Sequence, residues 1–311
     1  MLISTVNLLA AGGDKIVEVM TAASVPSTLV KCLYLFFDLT ATEGDDEDSD
    51  ANVNIDSESE FTTRERRILL QKMFMQVLLR LCVHKGAVEE LARKDDLTLL
   101  FSAISSVCPS HNLIWRKTSG DVLLTISRHS LSQPVISYLH NKTCIAMCVE
   151  NMQRGAGTDI TPLEIVEMFV TIFCFLKDSS SVSQTLLDDF KSCQGYIFLS
   201  EFLLKLEQDN EPESSEAIRN LVLLVASLTF CGHTELNTTI STQSSLYQLP
   251  DFEMPVPENR GSTVRNIHAF QVLQSVFLKC SSASLGGTIL DAISTIYHGD
   301  NANFFLLQVI S

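Results

Sequence analysis

Apolar residues recur along this chain in short helical phrases, and the phrases come in a fixed order. Between Leu186 and Cys231 the amphipathic run LLDDFKSC leads to a turn at Gly195, then to YIFLSEFLLKLEQ, an acidic break and EAIRNLVLLVASLTFC. Apolar positions three and four apart share one face of an α-helix, so the stretch predicts one short and two long helices. The same order is found three more times. KIVEVMTAA, SVPSTLVKCLYLFFDL and ERRILLQKMFMQVLLRLCVH make a unit from about Asp14 to His84. AVEELARK, DLTLLFSAISSV and NLIWRKTSGDVLLTISRH make the next, and PVISYLHNK, TCIAMCVENMQ and PLEIVEMFVTIFCFLKD the third.

The units begin near Asp14, Gly86, Gln133 and Gln184. Once the acidic insert of the first unit is discounted, that is roughly 50 residues each, close to the period of armadillo and HEAT arrays. The predicted fold is therefore all-α: an armadillo/HEAT-like α-solenoid, a right-handed superhelix of three-helix repeats over residues 1–311. Local signals agree with the boundaries. Ser24 is expected to N-cap its helix with Pro26 in the first turn, and Thr62 with Glu65 reads as a capping box. Asp95 or Asp96 is expected to cap the middle helix of the second unit. Thr161, Pro162 and Glu164 form a cap-proline-carboxylate start, and Ser181 with Gln184 repeats the capping pattern.

Two stretches break the pattern. Residues 40–62, ATEGDDEDSDANVNIDSESEF with its flanks, are acidic and nearly devoid of large apolar side chains; such a segment cannot offset its ordering entropy by burial, and is expected to be disordered. Residues 232–262 hold three of the eight prolines and an aperiodic Ser/Thr run, and are expected to form a long irregular loop. Helices resume with TVRNIHAFQVLQSVFLKC and GGTILDAISTIYH. The closing NANFFLLQVIS reads as the first helix of a unit left unfinished, so the chain is expected to be a fragment, a truncated isoform or part of a continuing array whose downstream repeats are its partners.

Charge refines this picture. The net charge of -15 is concentrated: nine acids lie between Glu43 and Glu60 with no Lys or Arg, and the remaining 28 acids against 22 bases leave -6. A body of that balance lacks the clustered cations of a nucleic-acid groove. The nine cysteines are odd in number and sit in apolar phrases, as in KCLYLFF and TIFCFL, which reads as core packing in a reducing cytoplasm. MLISTVNLLAAGG has no basic residue ahead of its apolar run and reads as a helix of the array rather than a signal peptide. No apolar run approaches the roughly 18 residues of a membrane span.

The residues name no chemistry. HExxH, Walker A, GxSxG and GxGxxG are absent, so no catalytic residue and no cofactor is assigned. Cys144 and Cys148 share a helix face, but a metal needs two further ligands and only His140 is near, so no metal site is assigned. His84, His129 and His298 end long helices, where a partly positive imidazole suits the dipole. Trp115, Arg116 and Lys117 are the candidate protein-contact patch, since Trp and Arg are enriched at binding hot spots. Ser49, Ser57 and Ser59, embedded in acid, are candidate phosphosites.

Whole phrases resemble the N-terminal region of the BEACH-domain scaffold family of ALFY and blue cheese. They are SVPSTLVKCLYLFFDL (Ser24 to Leu39), EELARKDDLTLLFSAIS (Glu89 to Ser105), TPLEIVEMF (Thr161 to Phe169), CFLKDSSSVSQTLLDDF (Cys174 to Phe190) and ILDAISTIYHGDNANFF (Ile289 to Phe305). The resemblance implies a very large cytoplasmic scaffold in selective autophagy of protein aggregates, with autophagy and aggregate components as protein partners. The PH-like and BEACH module, WD40 repeats and FYVE finger of that family have no counterpart in these 311 residues, so membrane association is implied only through domains absent here. The expected role is a non-catalytic protein-interaction segment; the alternative is a spacer solenoid with no partner of its own, in a BEACH protein of membrane trafficking.

Overall fold

The computed structural model describes residues 2–35, 63–106, 113–156, 161–207, 212–234 and 263–299. The described residues hold fifteen α-helices and no strand, in two compact units, Met1–Thr158 and Asp159–Ser311. The first unit opens with α1 (Leu2–Ala10). Then come the triplets α2 (Asp14–Ala22), α3 (Val25–Leu35), α4 (Thr63–Leu81) and α5 (Lys85–Arg93), α6 (Leu97–Ser105), α7 (Leu113–Thr125), followed by α8 (Gln133–Asn141) and α9 (Cys144–Gly155). A π-helical turn, Ile126–Ser130, ends α7 where a continuous helix was expected. The second unit holds α10 (Pro162–Ser179), α11 (Thr185–Ser192), α12 (Gly195–Leu206), α13 (Pro212–Leu228), α14 (Ile267–Lys279) and α15 (Ala283–Gly299).

Helices with the same place in the repeat stack on one another. First helices pack as α2 on α5 and α5 on α8, second helices as α6 on α9 and α12 on α14. Third helices pack as α4 on α7, α10 on α13 and α13 on α15. This is the packing of an armadillo-like array, in which each apolar stripe is covered only by its neighbours. Because α1 lies on α4, the N-terminal apolar run is a third helix. By the same rule α14 and α15 are a second and a third helix.

Side-chain hydrogen bonds measure the period directly. In the first unit Ser130 Oγ donates to Cys82 O, Ser132 Oγ to Glu89, Lys142 Nζ to Asp95, Cys148 Sγ to Phe101 O and Asn151 Nδ2 to Ser105, across 43 to 48 residues. Arg80 to Asn7 O and Lys94 to Ser24 span 73 and 70 residues, because the acidic insert lies inside that interval. The spacing agrees with the 47 residues between the unit starts at Gly86 and Gln133 (133 − 86).

Among the described residues, four other than glycine have a left-handed backbone: Ser24, Asp95, Thr143 and Gln194. Each ends the first helix of a repeat and turns the chain into the second. In each, the N–H reaches back to the carbonyl three residues earlier, as Asp95 does to Ala92 at 3.2 Å, and Asp96 N–H also reaches Leu91 O at 2.9 Å. That pair is the Schellman closure, which glycine usually supplies. Ser24 is therefore not the extended N-cap expected of it. Thr143 is β-branched, exposed and left-handed, a costly combination. Thr143→Gly is expected to stabilise the protein by about 0.5–1 kcal/mol, the relief of strain exceeding the entropy glycine loses on folding. A thermal melt of the variant no higher than the parent's would count against the strain.

The other expected caps also differ in detail. Thr161 precedes Pro162 with extended backbone, but neither Thr161, Asp96 nor Gln184 caps through its side chain. Contacts between elements take those groups instead: Asp96 faces Lys31, and Gln184 Oε1 accepts the N–H of His233 at 2.8 Å. Thr62 and the side chain of Glu65 lie outside the described residues, as do the 40–62 insert, residues 300–311 and all of the 232–262 stretch beyond Thr234. Where the chain re-enters at α14, Thr229 O accepts the N–H groups of Arg265 and Asn266 at 2.8 and 2.9 Å. Asn266 then caps α14 by accepting from Ala269 N–H and donates to the Tyr196 hydroxyl at 2.8 Å.

Candidate interaction surface

Trp115 and Arg116 are 2% and 4% exposed, and only Lys117 faces solvent. The three do not form a common surface patch within their unit. The physical reason is the place of α7 in the repeat: a third helix packs on both α4 and α6, which leaves it a narrow exposed stripe. Ser49, Ser57 and Ser59 lie outside the described residues. Cys144 and Cys148 are both buried, and among the described residues no group of three or more potential ligands is placed to hold a metal ion. Burial alone pushes the Cys82 thiol up to about 12.

The turns between first and second helices carry a polar ladder that sequence periodicity does not reveal. Lys94 Nζ donates to Ser24 Oγ at 2.7 Å, and Lys142 Nζ to Asp95 Oδ2 at 2.9 Å, so each lysine reaches the left-handed residue of the preceding repeat. Tyr138 Oη adds a bond to Asp95 Oδ1 at 2.5 Å. The Tyr138 and Lys142 donors hold the Asp95 carboxyl below its usual range, while burial and the same bond push the Tyr138 phenol up. Beneath the ladder Glu90 and Asp96 are buried, with Lys94 at 3.7 Å and Lys31 at 3.5 Å respectively. A buried carboxylate is costly without a nearby cation; Lys94 serves Glu90 within one repeat, four residues away, while Lys31 serves Asp96 of the next repeat and so helps fix the register between them.

An apolar groove opens between α1, α3 and α4. Ile3 and Val6, Val25 and Leu29, and Leu70 and Phe74 line it, around a cavity of about 460 Å³. That volume lies within the roughly 300–1,000 Å³ of ligand-sized pockets. Leu8, 73% exposed, and Leu9, Leu69 and Leu70 extend the apolar surface along α1 and α4. The apolar run that forms α1 is already visible in MLISTVNLLAAGG, and α1 packs on both α4 and α2. Among the described residues no helix is long and apolar enough to cross a membrane.

No family model matches the chain, and no solved structure matches it. Over 308 residues, 99% of the chain, it is 31% identical to WD repeat- and FYVE domain-containing protein 4 of Mus musculus. It is 30% identical over the same length to the protein of that name from Homo sapiens. The chain spans 9% of the length of each relative. Similarity of this extent takes in every repeat, both breaks in the pattern and the groove-lining helices. Over nearly its whole length the chain is therefore similar to one segment of the WD repeat- and FYVE domain-containing proteins, which supports the resemblance to the ALFY-like family.

Proposed function

We propose that this chain is a protein-interaction segment of a large cytoplasmic scaffold and performs no catalysis itself. The observation that carries the reading is the end-to-end similarity to a segment of far longer relatives whose names record WD repeats and a FYVE domain. A repeat array suits the role, because stacking similar units makes a long surface without requiring a reaction site. By the family resemblance, the longer protein acts in selective autophagy of protein aggregates, and its partners are components of that process. The segment's part is to hold such partners while other domains contact membrane.

The reading is tested by fusing the chain to a proximity-labelling enzyme in cells and comparing it with an unrelated helical-repeat protein of similar size. A reproducible set of neighbours, reduced when charges along one helix row are reversed, is the expected result. Labelling no different from the control leaves a spacer, with no partner of its own.

A further inference from the structure

We infer that Thr161 is a phosphorylation site for proline-directed protein kinases, and that the phosphate, once added, braces the first turn of α10. The site does not depend on the interaction reading and goes beyond it. Of the eight prolines in the chain, Pro162 is the one that follows a serine or threonine. A kinase that reads Ser/Thr-Pro takes its target in extended backbone, next to a ring with no N–H to satisfy. Thr161 has that backbone, with φ -65° and ψ 143°, close to polyproline II. The cause is local: the proline ring keeps the residue before it out of the helical region.

The residue is also accessible. Thr161 and Pro162 are both exposed, and the Thr161 hydroxyl makes no capping bond. Hydroxyls within the helices differ: those of Thr28, Thr125, Thr171 and Thr295 each donate to the carbonyl four residues earlier. A kinase could take such a residue only after its bond was broken and its helix unwound. Thr161 requires neither. In the reaction the γ-phosphoryl of ATP moves to Thr161 Oγ1, its bond to the β-phosphate breaks, ADP leaves, and the hydroxyl proton passes to the base of the kinase.

The product carries a charge of about -1.5 to -2 near neutral pH. It stands at the N-cap of an 18-residue helix, where the dipole favours an anion and the first-turn N–H groups lack full intrahelical partners. Pro162 has no N–H to offer, so the nearest donors are the N–H groups of Leu163 and Glu164, the second of which now reaches Thr161 O at 3.1 Å. The Glu164 carboxylate is the one acid in that turn, and its repulsion limits the gain. The buried face of α10 begins directly behind, at Ile165, Val166 and Phe169, and packs on α13. A firmer first turn therefore steadies one edge of that core.

The test treats the folded 311-residue chain with ATP and a purified proline-directed kinase, and maps phosphopeptides by mass spectrometry. Phosphate is expected on Thr161, and on the same residue in chain recovered from cultured cells with phosphatases inhibited. Thr161→Val should remove it, and Pro162→Ala should slow its addition about tenfold or more. Alanine is a good helix former, so Pro162→Ala keeps α10 while removing the ring the kinase reads. Amide hydrogen exchange at Leu163 and Glu164 should slow about threefold in the phosphorylated chain. An unmodified Thr161 in either preparation overturns the site, as does equal labelling of the Pro162→Ala variant. Exchange that is unchanged or faster at both amides overturns the bracing.

Discussion

Phe169→Ala is expected to cost about 3–5 kcal/mol, as large-to-small changes of fully buried aromatic residues do. Phe169 lies on α10 with its ring centroid 5.3 Å from those of Phe173 and Phe198 and 5.4 Å from that of Phe202. Two of these partners belong to α12, so the ring ties a third helix to the second helix of the following repeat. Its removal leaves a void on both sides that the neighbouring rings cannot close, since Phe173 is itself held edge-on against Phe190 at 5.4 Å. The loss should be read as faster amide hydrogen exchange across α10 and α12, which reports the local opening free energy. A change below about 1 kcal/mol at those amides would mean the cluster repacks, and that the repeats are held by other contacts.

The helices that carry that cluster were legible in the sequence, because TPLEIVEMFVTIFCFL and YIFLSEFLLKL place their aromatic residues at helical spacing, but their meeting was not. The long third helix of each unit was legible too, with 13 to 19 residues, but the second helices are shorter than expected, and α6 with 9 residues only equals α5. What could not be read falls into two kinds. Turn conformation was hidden because the left-handed positions are Ser, Asp, Thr and Gln, where glycine is the usual signal. Contacts between repeats were hidden because they join residues more than forty positions apart: Trp115 beside two cations looks like a surface patch until α4 and α6 cover α7. The groove was hidden for the same reason. An apolar N-terminal run reveals a helix, and only stacking on α4 reveals it as a third helix with an open side.

Gly195→Ala is expected to destabilise the protein by about 1–3 kcal/mol, against the sign that helix propensity alone would give. Gly195 is the first residue of α12, and on intrinsic preference alanine would gain there roughly 0.5–1 kcal/mol. The turn itself does not need this glycine, since the left-handed residue is Gln194. What needs it is the approach of Phe190: a Cβ on residue 195 would fall well inside van der Waals contact with Cε2, Cζ and Cδ2 of that ring. The ring cannot step aside, because it is buried and set edge-on against Tyr196 at 4.8 Å and Phe173 at 5.4 Å. Close packing therefore outweighs propensity by a factor of two or more. The attribution is tested by a double-mutant cycle in urea with Phe190→Leu, which removes the far ring carbons. The pair should be less destabilised than the sum of the singles by about 1–2 kcal/mol, since the two residues are in contact. Additive losses would mean that Gly195 is required for backbone reasons, and a stabilised Gly195→Ala would show that the ring has room to move.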